Sequence, residues 1–485
     1  MSRVLFVYHN ELEEGFIPLS IAVLGGVAKK QGLETKVFDT SFWRDENSDI
    51  IENDREAKER TGQEKSVKGY NPQREVVNLR EKFAEVVETF RPDLIAATST
   101  SYEFNSMIDF IGPAKSRRNI PLIVGGSHPT MAPEETISHP EVDMLCRGEG
   151  ETAFLELIQR MPLGKDCSNI PNLWVKTPSG IVRNKLGPLM KMDDLPDPDW
   201  DLFDLRHMVR PFQGELRKNG YFEFSRGCPN RCSYCINDGL QKLYKENGIN
   251  SRNFRFRSPE NATDLARRFK EKYGFDHLRL VDENLSVMPV EELERLSKLY
   301  SQQVGVGFFA MARPEGFVRN PRRAELFAEM GCELVAMGAE SGNEDLKRKV
   351  LNRPMKNETL IEASRLLRGQ GILVSLYNII GFPGETINMI FDTINLNRKI
   401  RPDRFSVRFL NPYPGTEIRR YCEQKGYMHP QNRQESFLLK PVLDLPSPPH
   451  PSKQQLIEIR DNFAGFLEMP EEEYQSAKRA YTSLS

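Results

Sequence analysis

Three cysteines fall within eight residues, Cys228, Cys232 and Cys235 of "RGCPNRCSYC", while the other four of the chain's seven are scattered. Thiolates are the ligands of iron–sulfur clusters, and a cubane has four irons, so three cysteines leave one iron without a protein ligand. An open metal position is what distinguishes a catalytic metal site from a structural one. The spacing C-x-x-x-C-x-x-C also fits one face of a helix. Against that, Gly227 and Pro229 open the segment, and Asn230, Arg231 and Ser233 are poor material for an apolar face. Structural zinc would require a fourth Cys or His close by, and the nearest histidines, His207 and His277, stand in no ligand motif. An odd cysteine count with one tight cluster reads as metal or redox chemistry in a reducing compartment.

Two series of alternating strand and helix patterns must position these residues. In the first, β-branched runs at 4–8, 35–39, 94–98 and 122–124 alternate with amphipathic patterns at 17–30, 75–90 and 104–118. Such βαβ units build a parallel sheet whose carboxyl-end loops bind ligands near the point where strand order reverses. The loops of interest are Thr98-Ser99-Thr100-Ser101 and Gly125-Gly126-Ser127-His128. A helix after "GEGE" (148–151) closes the unit, a hairpin surrounds Pro178-Ser179-Gly180, and the proline-punctuated stretch 186–212 reads as a linker. Residues 44–68 hold 14 charges in 25 positions, which predicts a solvated helix or mobile excursion without chemistry.

The second series has strands near 221–225, 278–281, 306–311, 334–339, 374–380 and 405–409, separated by helical patterns, one opening at Ser258-Pro259-Glu260. Six such units predict a complete or partial parallel β/α barrel, with chemistry at the strand carboxyl ends. Residues 426–485 begin proline-rich and end in two helices. The domain boundaries expected are 1–162, a hairpin and linker at 163–212, a barrel at 213–425, and a helical extension at 426–485.

With 67 Lys+Arg against 69 Asp+Glu, the formal charge of -2 gives no reason to expect a nucleic-acid partner. The longest uncharged stretch, 369–384, is 16 residues and falls short of the roughly 18–20 needed to span a membrane. Only five apolar residues, 4–8, precede the first polar cluster, so no secretory signal and a cytoplasmic location are expected.

The pattern C-x-x-x-C-x-aromatic-C, with Tyr234 as the aromatic residue, resembles the signature of radical S-adenosylmethionine (SAM) enzymes. The resemblance implies that Cys228, Cys232 and Cys235 hold a [4Fe–4S] cluster whose open iron chelates SAM, and that the Tyr234 backbone lies against adenine. It further implies SAM contacts from Asp282-Glu283-Asn284 after the second strand, from Arg313 at the third, from Glu340-Ser341 at the fourth, and from Ile380 and Gly381 of "IIGFPGET" at the fifth. The second-strand motif departs from the family's Gly-Gly-Glu. An electron donor such as flavodoxin or ferredoxin is implied as a partner.

A doubly wound domain ahead of this barrel resembles the cobalamin-binding radical SAM proteins, which include the class B methylases and the anaerobic magnesium-protoporphyrin ester cyclase. The matching stretches are "PLSIAVLGGVAKKQG", "PDLIAATS", "IVGGSHPT", "RGEGE" and "NPYPGTEI". Cobalamin contacts are then expected from Thr98, Ser99, Thr100, Gly125, Gly126, His128 and Glu149. The motif D-x-H-x-x-G, which supplies a histidine to cobalt, is missing around His9: Val7 and Leu12 stand at its Asp and Gly positions. Base-off cobalamin without a histidine ligand follows.

The expected fold is thus α/β, a Rossmann-like (flavodoxin-like) cobalamin domain followed by a partial (β/α)6 barrel. The expected activity is methylation of an unactivated carbon in a small molecule, with no individual catalytic residue legible. Three readings compete: cobalamin-dependent oxidation, cyclisation or rearrangement; a non-catalytic cobalamin or cluster sensor; and tRNA methylthiolation. The last is weakened because Cys146 and Cys167 cannot supply a second three-cysteine cluster and no basic tail follows the barrel.

Overall fold

The computed structural model describes residues 2–10, 16–46, 75–249, 254–428 and 440–482, in two compact units. The first comprises the described residues up to Met208 together with 239–249, and the second the remainder.

In the first unit β1 (Arg3–Tyr8), α1 (Leu19–Lys30), β2 (Glu34–Asp39), α2 (Leu79–Phe90), β3 (Leu94–Thr98), α3 (Phe104–Arg118), β4 (Leu122–Gly125), β5 (Met144–Cys146), α4 (Glu151–Arg160) and the hairpin β6–β7 (Leu173–Thr177, Gly180–Arg183) form one sheet and its covering helices. The sheet order is β2-β1-β3-β4-β5-β6-β7, parallel through β5 and antiparallel from there. Strands β1, β3 and β4 are near-continuous apolar runs because helices cover both faces. On one face Phe38, Phe83 and Phe110 meet at ring distances of 5.0–5.5 Å. On the other, Phe6 packs on Phe154 of α4 at 5.7 Å. Strand order reverses between β1 and β3, so the loops after these strands flank the switch point.

Three expectations are refined. Helix α2 begins at Leu79, where Asn78 accepts the Glu81 N–H as its cap, and Glu75–Val77 instead pairs in parallel with Trp43–Asp45. The hairpin is the antiparallel edge of the first sheet and not part of a connector. The proline-punctuated stretch is no free spacer either. Trp200 is fully buried, the Asp199 N–H donates to Ala22 O at 2.7 Å, and His207, with no exposed surface, bonds Asp39 through Nε2 at 2.5 Å. The charged excursion lies, from residue 47 to residue 68, outside the described residues.

The second unit holds β8 (Val209–Phe212), β9 (Glu215–Phe222), α5 (Pro259–Tyr273), β10 (His277–Leu280), α6 (Val290–Gln303), β11 (Gly307–Met311), α7 (Arg322–Glu329), β12 (Cys332–Glu340), α8 (Asn357–Gly369), β13 (Leu373–Ile380), α9 (Ile387–Ile400) and β14 (Arg404–Phe409). Six parallel strands, β9 to β14, lie in sequential order, with β8 antiparallel at one edge. The two edges do not pair, so this is a partial barrel. The expected cap at Ser258 is present, its hydroxyl accepting the Asn261 N–H. The C-terminal extension forms three helices, α10 (Lys453–Asp461), α11 (Phe463–Glu468) and α12 (Glu471–Thr482), because Asn462 breaks the expected first one. Leu456, Phe463, Phe466 and Tyr474 of these helices pack on Ile380, Phe391 and Phe409.

The connector's fit to α1 generates a stability prediction. A Cβ at Gly26 would lie 2.1 Å from Asp197 O, a backbone atom that cannot swing aside, whereas nothing lies within 4 Å of one at Gly369. Gly26→Ala is expected to destabilise the first unit by about 1–3 kcal/mol. Gly369→Ala should stay within about 0.5 kcal/mol of wild type. Denaturant midpoints of the two variants check this.

Candidate functional site

The cysteine loop follows the end of β9 and is fastened to its neighbours mainly through backbone. The Ser233 N–H donates to Leu351 O (3.0 Å), its hydroxyl to Val350 O (2.6 Å), and its carbonyl accepts the Ile418 N–H (3.0 Å). Asn352 donates to Arg231 O at 2.7 Å. Each cysteine sulfur has a side-chain N–H donor beside it: Asn230 Nδ2 at 3.3 Å from Cys228, Arg313 Nη1 at 3.3 Å from Cys232, and Asn237 Nδ2 at 3.7 Å from Cys235. Burial pushes the Cys235 thiol up to about 11, with Cys232 and Cys228 adding to the effect. Metal ligation requires the thiolate, and each of the three sulfurs has an N–H donor beside it. Among the described residues no three Cys, His, Asp or Glu side chains are grouped to hold a single metal ion. A cubane places its three protein ligands on three different irons, and three cysteines in one loop fit that donor set.

Around this loop the strand ends bury several ionisable groups. Asp282 is fully buried, accepting the Ser225 hydroxyl at 2.5 Å and the Phe224 N–H at 3.2 Å, and burial raises its carboxyl to about 7. Asn284, also without exposed surface, accepts the Arg313 N–H (3.0 Å) and the Ser286 hydroxyl (2.7 Å). Between them Glu283 is exposed and accepts the Gly227 N–H at 3.0 Å. Arg313 is held by Glu315, with Nε 3.2 Å from Oε2. Glu340 has φ +58°, folds over Gly338 and takes the Tyr234 hydroxyl bond; burial raises its carboxyl. Ser341 turns away, accepting the Asn343 N–H at 3.2 Å and facing Thr393 of α9. Glu385 accepts the Gly381 and Phe382 N–H groups at 2.6 and 3.1 Å.

Residue-pattern reasoning missed Ser225, Glu315, Arg353 and Glu385. Arg353 is 4% exposed, donates to Gly338 O at 2.6 Å and lies near Tyr234, Glu340 and Cys232. The signal for Glu385 was its place in "GFPGET"; nothing local marks Arg353.

In the first unit the loops after β3 and β4 meet tightly. Gly126 has φ +108°, and a Cβ there would lie 2.6 Å from Ser99 O and 2.9 Å from Thr98 Oγ1. Gly125 is open, its nearest neighbour being Ala97 O at 4.0 Å. Thr100, exposed, bonds Glu103 at 2.7 Å, and Glu149 is half-buried. His9 spends both ring nitrogens, on Thr40 Oγ1 (3.0 Å) and Ser106 Oγ (3.1 Å). His128 is 2% exposed, bonded through Nδ1 to Ser101, stacked on Phe104 at 4.4 Å, and lowered to about 4 by burial. Its Nε2 is buried without a hydrogen-bond partner. Gly125 thus leaves backbone after β4 open to a large cofactor, and His9 after β1 and His128 after β4 are both enclosed.

The radical SAM superfamily model matches residues 222–396 and the B12 binding domain model residues 10–158. The chain carries a B12 binding domain and a radical SAM domain. It is a radical SAM enzyme, with a [4Fe–4S] cluster, SAM and cobalamin as cofactors. An uncharacterized methyltransferase of Pyrococcus horikoshii is 26% identical over 369 residues, 75% of this chain and 76% of the relative. The anaerobic magnesium-protoporphyrin IX monomethyl ester cyclase of Rubrivivax gelatinosus is 23% identical over 86% of this chain and 69% of its own. The fold is shared with the radical SAM methyltransferase TsrM of Kitasatospora setae, solved with cobalamin and a [4Fe–4S] cluster: TM-score 0.63 and 19% identity over 94% of this chain and 84% of that one. No helix among the described residues is long and apolar enough to cross a membrane.

Asp282 generates a pH prediction. Its folded carboxyl titrates near 7 against the ordinary 3.8, so the fold favours the protonated form, and its ionisation costs stability progressively as pH rises from about 4 to about 7. Asp282→Asn mimics the protonated form, accepting from Phe224 and donating to Ser225 Oγ. The variant without its cluster should lose that part of the pH slope and be more stable than wild type at pH 8, as unfolding midpoints between pH 5 and pH 8 check.

Proposed function

We propose that this enzyme transfers a methyl group to an unactivated carbon of a small molecule. The observation that carries the reading is the presence in one chain of a B12 binding domain and a radical SAM barrel whose three-cysteine loop presents a donor to each sulfur. When bound, the cluster supplies an electron for reductive cleavage of SAM, and cobalamin supplies a methyl group that a carbon radical can take. Cys228, Cys232 and Cys235 hold the cluster, and Arg313 orients the Cys232 sulfur while Glu315 fixes the guanidinium. Tyr234, Glu283, Arg313, Glu340, Ile380 and Gly381 line the SAM side. Thr98, Ser99, Thr100, Gly125, Gly126 and Glu149 receive cobalamin, with His128 as a loop brace. A flavodoxin- or ferredoxin-like protein delivers electrons.

The length over which the ester cyclase resembles this chain supports a second reading, oxidative cyclisation of the substrate radical without methyl transfer. Turnover with SAM carrying a deuterated methyl separates the two. Methylation yields S-adenosylhomocysteine and 5′-deoxyadenosine in comparable amounts and a product bearing the label; oxidation yields 5′-deoxyadenosine alone.

Two further outcomes are expected. Replacing Cys228, Cys232 and Cys235 together by Ala abolishes the reconstituted cluster's absorbance and SAM cleavage, because Cys146, Cys332 and Cys422 are buried, burial pushing the Cys146 and Cys422 thiols up to about 12, and Cys167 is not near the loop in sequence. The cob(II)alamin form shows no nitrogen hyperfine splitting from a protein ligand, and His128→Ala leaves its paramagnetic resonance spectrum unchanged.

A further inference from the structure

The loop that follows β13, residues 381–385, turns on two left-handed glycines, Gly381 at φ +86° and Gly384 at φ +81°. Glycine tolerates that geometry without enforcing it, so the loop's shape depends on what bonds its amides. Glu385, wholly buried, takes the Gly381 and Phe382 N–H groups. The Gly384 N–H is taken from elsewhere: it donates to His450 Nε2 at 2.8 Å, and His450 Nδ1 lies 2.8 Å from Pro446 O. A carbonyl only accepts, so the proton sits on Nδ1, and the ring links the proline-rich segment of the C-terminal extension to the loop. His450 is 7% exposed, which shields both bonds from water.

The extension is itself well anchored. Lys453 and Asp444 form an ion pair at 2.7 Å, Ser452 and Gln455 make a reciprocal helix cap, and Leu456 reaches within 3.3 Å of where a Cβ on Gly381 would be. Between the extension and the strand ends there remains a cavity of about 200 Å³ bordered by Ile380, Gly381, Phe409, Leu443 and Leu456. Leu456 packs on Ile380 and Leu443 shares an apolar cluster with Phe382, and the hydrogen bond from Gly384 to His450 adds the polar tie at the far end of the turn.

We propose that His450 is a positioning residue for SAM, setting the 381–385 backbone from outside the barrel so that Ile380 and Gly381 meet the adenosyl group. This rests on the assignment of those two residues to SAM made above. The C-terminal extension is then a working part of the cofactor site, acting through the loop and touching no reacting atom.

The test uses the full chain with its cluster reconstituted under anaerobic conditions, and reads SAM affinity by equilibrium dialysis and amide exchange of the peptide containing residues 380–389. Loss of one buried hydrogen bond predicts about five- to ten-fold weaker SAM binding in His450→Ala, with faster exchange in that peptide. His450→Asn is too short to reach Gly384 but can still donate toward Pro446, so it should bind SAM as weakly while α10 keeps its protection, separating loop positioning from unfolding of the extension. His450→Gln, whose amide accepts and donates at the ring's far end, should recover most of the affinity. Wild-type affinity in both His450→Ala and His450→Asn, or equal loss in His450→Gln, overturns the proposal while leaving the reading of the barrel intact. Failure of the reconstituted wild-type protein to bind SAM overturns both.

Discussion

At the mouth of the partial barrel, buried polar side chains bond the backbone of their own and neighbouring loops, and the arrangement there depends on this constraint. Asp282 holds Phe224 and Ser225, Asn284 holds Arg313, Glu385 holds Gly381 and Phe382, and Arg353 holds Gly338. Leaving any of these partners unmet in a buried setting would cost about 1–3 kcal/mol, so each pair penalises alternative loop conformations. Loops ordered in this way meet cofactors without first losing conformational freedom. The same burial raises the Asp282, Glu340 and Glu385 carboxyls.

The first unit solves a different problem, since a corrin ring needs open backbone more than charged groups. Gly126, forced against Ser99 and Thr98, brings the loops after β3 and β4 into contact, while Gly125 stays open above them. His9 and His128 close off imidazole nitrogens that would otherwise compete for cobalt: one by two hydrogen bonds, the other by enclosure against Phe104. The absent D-x-H-x-x-G pattern and the enclosure of both rings point the same way.

What could be read from the sequence was local. Cysteine spacing, apolar runs of four to six residues and the Ser-Pro-Glu helix start are properties of neighbouring residues, and the strands at 94–98 and 405–409 and the Ser258 cap follow from them. The connector after the hairpin was misjudged because proline content describes a chain's stiffness and not what it packs on; Gly25 and Gly26 of α1 accept it by offering no side chain. Arg353 and His450 escaped notice for the same reason. Their partners are 15 and 66 residues away, and a single arginine or histidine after a turn carries no local mark. Bounds near 17 and 75 erred because Pro18 and Asn78 cap the helices one position before their first turns.

The departure at the second barrel strand becomes intelligible in the same terms. In an extended segment successive side chains alternate in direction, so the outer two of three consecutive residues share one side and the middle one takes the other. Asp282 and Asn284 face inward to neighbouring loops and are fully buried, while Glu283 between them is exposed and touches the cluster loop only through the Gly227 amide. Where the family's motif has its first glycine, Asp282 braces the start of the cysteine loop, and where it has its glutamate, Asn284 holds the turn carrying Arg313. The acidic group that remains accessible is then Glu283, one position earlier than the family's glutamate. The accessible carboxylate bonds the Gly227 N–H, so the two bracing residues and the accessible one act together: lengthening or shortening this turn by one residue would exchange their roles.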